Sequence, residues 1–269
     1  MSATEVELHT PYMKAEVSDG IGWMTFNNPE RRNAMKMEMN EAIVDILGAF
    51  QTDERVRVVV MQGAGDKAFV SGADISEFDT HRSTPEGRAH FDEVAAAAGR
   101  AFKALEKPLI AKIRGFCMGG GLATALQADI RISADDGQFG IPAARLGLGY
   151  GFSGIQVLVG LVGPANANEI MMSARRLSAS EALAMGLVNR VMPVDQLDQA
   201  VDELAAQIAA NAPLTVKAAK AAIGEAVKDP ERRNLDRVNE MVEACFQSQD
   251  YIEGRSAFLE KRPAQFKGA

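Results

Sequence analysis

Two segments of small residues are where this chain could place backbone chemistry. Gly119-Gly120-Gly121 falls between an apolar run and a helix of small residues, and Ala68-Phe69-Val70-Ser71-Gly72-Ala73-Asp74-Ile75 follows the β-branched run Val56–Met61. Glycines at a strand–helix junction let backbone approach a ligand closely, and N–H groups there favour developing negative charge. Tight helix–strand packing would use the same glycines, and the second segment alone reads as an ordinary turn from strand to helix. Together, in one α/β chain, they suggest two opposed N–H donors, as an oxyanion hole requires. At the triplet neither the G-x-G-x-x-G nor the G-x-x-x-x-G-K-[ST] spacing occurs, so it is neither a dinucleotide fingerprint nor a P-loop.

Side-chain chemistry is sparser. Ser153, in Gly151-Phe152-Ser153-Gly154, lacks the G-x-S-x-G spacing, and all three histidines (His9, His81, His90) lie upstream of it. The order Ser…Asp…His therefore cannot form around it, and the segment reads as the start of a helix. His81 and His90 stand among Asp79, Glu86, Asp92 and Glu93, a pattern that reads as a solvated helix face. Arg31-Arg32 and Lys261-Arg262 are short basic pairs on an acidic chain, read as surface charge or as phosphate contacts.

The elements that must position these groups alternate. Met13–Ser18 and Gly22–Asn27 flank Asp19-Gly20, a type I′ hairpin signature. Asn33 is placed to cap a helix to about Gln51, with Met35, Met39, Ile43, Ile46, Leu47 and Phe50 on one face. Residues 86–106 read as helix, and Leu109–Arg114 and Asp129–Ser133 as strands. This strand–helix–strand alternation predicts an α/β fold with crossovers. Ser178-Ala179-Ser180-Glu181 forms a capping box before a helix closed by Gly186. From about Asp195 the pattern is helical only, with Pro213 opening one helix and Pro230 placed to open another. The chain thus divides into residues 1–194, an α/β core, and 195–269, a helical section read as an oligomerisation platform. No fixed-period repeat is visible.

Composition narrows the function classes. The 269 residues carry 29 Lys+Arg against 36 Asp+Glu, and the net charge of −7 with only 6% aromatics argues against a nucleic-acid surface. Two cysteines and three histidines cannot build a disulfide scaffold or a Cys/His zinc cluster. The first residues show no basic and apolar leader, and no apolar run is long enough to span a bilayer, so a soluble, cytoplasmic protein is expected.

In order, Asn28-Pro29…Asn33-Ala34, Ala68–Ile75, Gly115…Gly119-Gly120-Gly121, Ala128-Asp129-Ile130, Gln138-Phe139-Gly140 and Ser256–Arg262 resemble the crotonase superfamily, the enoyl-CoA hydratase/isomerase group, over residues 12–267. The resemblance implies a spiral of ββα turns followed by C-terminal helices that pair subunits into a homotrimer or a dimer of trimers. It implies a coenzyme A thioester as ligand, with no separate cofactor or metal. By position, the N–H groups of Ala73 and Gly120 would form the oxyanion hole, and Ser71 and Asp74 would help bind the adenine and pantetheine portion. Arg31 and Arg32 sit where the family contacts the nucleotide, and Phe258 and Lys261 match positions reaching the adenine–phosphate end, sometimes from a neighbouring subunit. Hydratases of the family place one glutamate two residues after the glycine triplet and another directly after the proline of Phe-Gly-x-Pro. Here those positions hold Ala123 and Ala143. Ordinary hydratase activity is therefore not expected. Tyr150, Arg145, Asp79, His81 and His90 are the candidate substitutes. The alternative is an acyl-CoA-binding protein with little catalysis.

Overall fold

The computed structural model describes residues 4–77 and 84–269; Asp79 and His81 fall outside them. Strands β1 (Thr4–Glu5), β2 (Met13–Ser18) and β3 (Ile21–Phe26) form an antiparallel meander. The β2–β3 turn has positive φ at Asp19 (49°) and Gly20 (83°), as type I′ demands. Beyond β3 the chain winds in ββα turns. Strand β4 (Val58–Gly63) is followed by β5 (Ala68–Val70) and helix α2 (Pro85–Ala104), and between β3 and β4 lies α1 (Met37–Thr52). The next turn is β6 (Leu109–Ile113), β7 (Phe116–Met118) and α3 (Gly120–Ala125). The third is β8 (Ile130–Ala134), β9 (Gln138–Gly140) and α4 (Phe152–Ser173). Strand β10 (Leu177–Ser178), helix α5 (Ala179–Ala184) and strand β11 (Arg190–Met192) close the spiral.

Each turn gives one strand to each of two sheets. The larger runs β1-β2-β3-β4-β6-β8-β11, parallel from β3 onward, and the smaller runs β10-β9-β7-β5, parallel except at β10. The inner strands of the large sheet are buried on both faces, so Val58–Met61 of β4 reads as an unbroken apolar run. One face packs on α1, α2 and the small sheet through Phe26, Ile46, Phe50, Met61 and Phe139. The opposite face, with Val58, Val60, Ile110 and Ile132, is covered by Leu197, Val201 and Ala205 of α6 (Leu197–Ala209). The first helix of the C-terminal section thus packs on the sheet, and α7 (Pro213–Ala226), α8 (Leu235–Gln247) and α9 (Gln249–Glu260) extend from it.

Two local expectations are corrected. Asn33 does not cap α1, which starts at Met37 with Lys36 at its N-cap. Asn33 is instead fully buried at a positive φ of 55°. Its amide donates to the carbonyls of Ala64 (2.9 Å) and Ala68 (2.8 Å) and accepts from the Asn28 N–H at 3.0 Å. Tertiary backbone groups win over local capping because they are buried and would otherwise go unpaired. Pro230 opens only a 3-10 turn, Pro230–Arg232, and α8 begins at Leu235, where the Asn234 side chain accepts from the Arg237 N–H.

Candidate active site

The parallel order β5-β7-β9 sets the C-terminal ends of three strands side by side, so the loops that follow them meet. Val70 pairs with Cys117, Cys117 with Phe139, and Met118 with Gly140. Segments 71–74, 119–121 and 141–145 therefore converge, although about 70 residues of sequence separate the first from the last.

The first loop is held by the segment before α1. Ser71 N–H donates to Arg32 O (3.1 Å), Met35 N–H to Gly72 O (2.7 Å), and Asp74 N–H to Met35 O (2.9 Å). Gly72 has a φ of 121°, a value that L side chains rarely adopt, so this turn needs glycine. Among the described residues the Ala73 N–H meets no acceptor.

The three glycines of the second loop have three different jobs. Gly119 sits at φ 52°, ψ −119°, and donates its N–H to Gly140 O at 2.8 Å. Gly121 lies so close to β5 that a Cβ would collide with the Val70 carbonyl oxygen. Gly120 is exposed, its N–H has no acceptor among the described residues, and a Cβ built on it would lie 3.8 Å from the Ala73 nitrogen. The packing reading holds for Gly121, while Gly120 faces Ala73.

The third loop places Ala143, 4% exposed, in a 3-10 turn (Pro142–Arg145), where its carbonyl accepts from Leu146 and Leu148 at 3.0 Å each. Ala123 and Tyr150 line one cavity of about 20 Å³, with Leu126, Gln127, Ile141 and Val157 also around it. That is roughly room for one water. Burial pushes the Tyr150 phenol above its ordinary pKa, so it stays protonated through neutral pH. Gln127, whose amide donates weakly to Ala123 O at 3.4 Å, was not legible as a site residue, because only the fold brings it to Tyr150.

Around the first loop the charges gather. Burial opposes ionisation of Asp74, but hydrogen bonds from the Ser76 hydroxyl and N–H, with Arg31 and Lys36 nearby, together hold its carboxyl below the usual range. Ser71 Oγ donates to Arg31 O at 3.4 Å. The Arg32 guanidinium lies over the Phe116 ring, 5.0 Å from its centroid. Arg31, Arg32, Ser71, Ala73 and Asp74 are thus one neighbourhood. Phe258, 84% exposed, and Lys261 stand at the end of α9 instead, and no hydrogen bond, ion pair or ring contact joins them to the 71–74 loop among the described residues. Arg145 and His90 are exposed. A much larger cleft, about 560 Å³, lies elsewhere, between the end of α1, Glu106–Pro108, the start of α7 and the last residues. Two of its three lysines are engaged: Lys107 Nζ donates to the carbonyls of Phe50 and Asp53, and Lys217 pairs with Glu106. Among the described residues no cluster of three or more His, Cys, Asp or Glu could hold a metal, and no helix is long and apolar enough to cross a membrane.

Known proteins resemble this chain in sequence and in fold. A family model described as enoyl-CoA hydratase/isomerase matches residues 16–269. The short-chain-enoyl-CoA hydratase of Clostridium acetobutylicum is 37% identical over 242 residues, 90% of this chain and 92% of that protein. The crotonyl-CoA hydratase of Syntrophomonas wolfei is 36% identical over 251 residues, covering 93% and 96%. Among solved structures, an enoyl-CoA hydratase/carnithine racemase from Magnetospirillum magneticum superposes with a TM-score of 0.90 at 34% identity, over 97% of each chain.

Proposed function

This chain belongs to the enoyl-CoA hydratase/isomerase family of acyl-CoA enzymes, and on that premise we propose that it holds the thioester oxygen of an acyl-CoA between the N–H groups of Ala73 and Gly120. The observation that carries the reading is their juxtaposition, two unspent donors on facing loops. When a bond at Cα gives up its electron pair, the thioester carbonyl becomes an enolate oxygen. Donors already aimed at that oxygen stabilise it without reorganising, each contributing about 10² to 10³ in rate.

The reaction is set by what stands beside those donors. Ala123 and Ala143 offer no carboxylate where the family's hydratases are expected to carry two. Adding water to a conjugated double bond needs one group to activate water and another to protonate carbon, each contributing roughly 10² to 10⁴. Hydration is therefore slow here. Isomerisation and decarboxylation also run through an enolate, and thioester or C–C hydrolysis through a tetrahedral oxyanion that the same donors would hold. In decarboxylation the C–C electron pair left by departing CO2 forms the enolate, and the Tyr150 hydroxyl, neutral and beside Ala123, gives its proton to Cα and regains one from solvent. Arg31, Arg32, Ser71 and Asp74 bind the nucleotide and pantetheine portion, and no separate cofactor takes part. Phe258 and Lys261 reach that portion of a neighbouring subunit's ligand in a homotrimer or dimer of trimers. The exposed Leu235, Val242 and Phe246 of α8 and Ile252 and Leu259 of α9 supply apolar surface for such an assembly.

Calorimetry with a panel of acyl-CoAs, paired with turnover assays, tests the reading. Binding with turnover that Gly120→Pro abolishes is the expected result. Tight binding with no product across the panel would make the protein a carrier of acyl-CoA instead, and no binding at all would overturn both.

A further inference from the structure

The Tyr150 hydroxyl is half-buried and meets no hydrogen-bond partner among the described residues. A phenol held away from solvent ordinarily finds one. The ring rests against Gly154 at the start of α4, where even an added Cβ would stand 3.4 Å from Tyr150 Cε1. Of the residues around the cavity beside α3, only Tyr150 and Gln127 carry polar side chains. Gln127 follows Ala123 by one helical turn at the end of α3, so both lie on one face. Ala123 ends at its methyl and leaves the space that Gln127 and the ring share. The Gln127 amide spends Nε2 weakly, on Ala123 O at 3.4 Å, and its Oε1 accepts nothing among the described residues. A void of about 20 Å³ bordered by two unspent polar groups suits one water, whereas an apolar void stays dry.

We propose that Gln127 is a positioning residue for Tyr150, acting through one water that donates to Tyr150 Oη and to Gln127 Oε1. This rests on the acyl-CoA reading given above, in which Tyr150 gives its proton to Cα. With each hydrogen of the water committed to one oxygen, the phenol's own hydrogen is left to point at the ligand. When that proton moves, the Tyr150 O–H bond breaks, the enolate electron pair forms the Cα–H bond, and a phenolate remains. The water then passes a proton to the phenolate and takes one from solvent, which restores the donor. Without that route, the proton a phenolate removes from Cα is the one it gives back.

Exchange of the Cα hydrogens of butyryl-CoA in deuterium oxide, followed by mass spectrometry, reads the route directly. In this direction the phenolate takes a proton from Cα, the electron pair passes to the thioester oxygen, and only refilling from solvent labels the product. The wild type should exchange. Gln127→Met, close in volume but without an acceptor, should slow exchange by about tenfold or more, the size of one hydrogen bond to a charged group. Its affinity for butyryl-CoA, read by calorimetry, should be unchanged. Gln127→Glu, which keeps an acceptor oxygen, should recover most of the rate. In a Tyr150→Phe background, Gln127→Met should cost nothing further, because a residue acting through the phenol has no effect once the phenol is gone. Full exchange in Gln127→Met, an equal loss in both backgrounds, or a loss matched by lost affinity would overturn the proposal and leave the acyl-CoA reading standing. A wild type that exchanges nothing would instead sink the enolate reading on which the proposal rests.

Discussion

The loop cluster at the ends of β5, β7 and β9 and the helical arm α7–α9 use opposite means. In the cluster almost everything is backbone. Glycines permit approaches that no Cβ allows, an asparagine bridges carbonyls, and two N–H groups are left over. The arm is built from side chains. Glu106 pairs with Lys217 of α7 and Arg237 of α8, and Lys220 of α7 pairs with Asp129. Helix α8 has no buried residue in the single chain, and Leu235, Val242 and Phe246 recur on one face at 42–57% exposure. A cluster of this kind fixes a reacting atom to a fraction of an ångström and tolerates no change of shape. An arm of this kind offers a surface, and its contacts with the core are individually small. Replacements in the two regions should therefore differ in kind as well as in size.

The largest effect belongs to Gly121→Val. Its side chain would run into the Val70 carbonyl, where neither strand nor helix can give way without losing the β5–β7 pairing. A loss of about 3 kcal/mol or more is expected from overpacking of this severity, read as the urea midpoint. A stable variant with ordinary ligand binding would mean the loops are not as closely apposed as described. Next comes Ala123→Glu with Ala143→Glu, which supplies two carboxylates to a cluster otherwise unchanged. Hydration of crotonyl-CoA should rise by about 10² or more if acid–base groups are what is missing. No gain, with acyl-CoA affinity preserved, would mean the acyl end of the pocket has been reshaped as well.

Tyr150→Phe sharpens the same side of the comparison, by asking whether one side chain matters in a site made of backbone. Turnover of the best substrate should fall by about 10². The pH profile supplies the sign. Burial raises the phenol's pKa, so the proton is present through neutrality and is lost only well into the alkaline range. Wild-type activity should be flat near pH 7 on this account and fall at high pH. The alkaline limb should vanish in the phenylalanine variant.

How legible all this was differs between the two regions for physical reasons. The hairpin, the helix faces, the Ser178 capping box and the all-helical end are local, so periodicity and turn chemistry reveal them. The ββα repeat is not local in that sense. Its turns start at Val58, Leu109 and Ile130, and their helical segments span 20, 6 and 22 residues, the last broken at Gly163, so no fixed period marks them. Asn33 looked like a cap because its fragment is consistent with one, and only the buried carbonyls of Ala64 and Ala68 redirect it. The glycine triplet was visible as a feature, but its division of labour depends on which glycine meets Val70 and which meets Ala73. Gln127 and Tyr150 lie on opposite sides of β8 and β9 in the sequence, and only the fold brings both to one cavity.

On the arm, Val242→Asp with Phe246→Asp should leave the fold of the single chain within about 0.5 kcal/mol, as for other exposed positions. The same change should disperse any assembly built on that face. Sedimentation would then show the wild type as a multiple of 28.8 kDa and the variant at the mass of one chain. An unchanged mass would place self-association elsewhere, or remove it.

The smallest effect is assigned to Glu106→Gln, which tests whether the arm is held by polar pairs that add little one at a time. Burial opposes ionisation of Glu106, yet Lys217 and Arg237 outweigh it and hold the carboxyl below its ordinary value of 4.5. A depressed carboxylate stabilises the folded chain above the pKa it has when unfolded, and that contribution disappears as pH falls through the folded value. The glutamine variant should therefore be about 0.5–1 kcal/mol less stable at pH 7. The gap should close below pH 4.5, where the wild type loses the same charge. A gap that persists in acid would show that Glu106 acts through packing and hydrogen bonding rather than charge. Then the arm would resemble the cluster after all, fixed by shape.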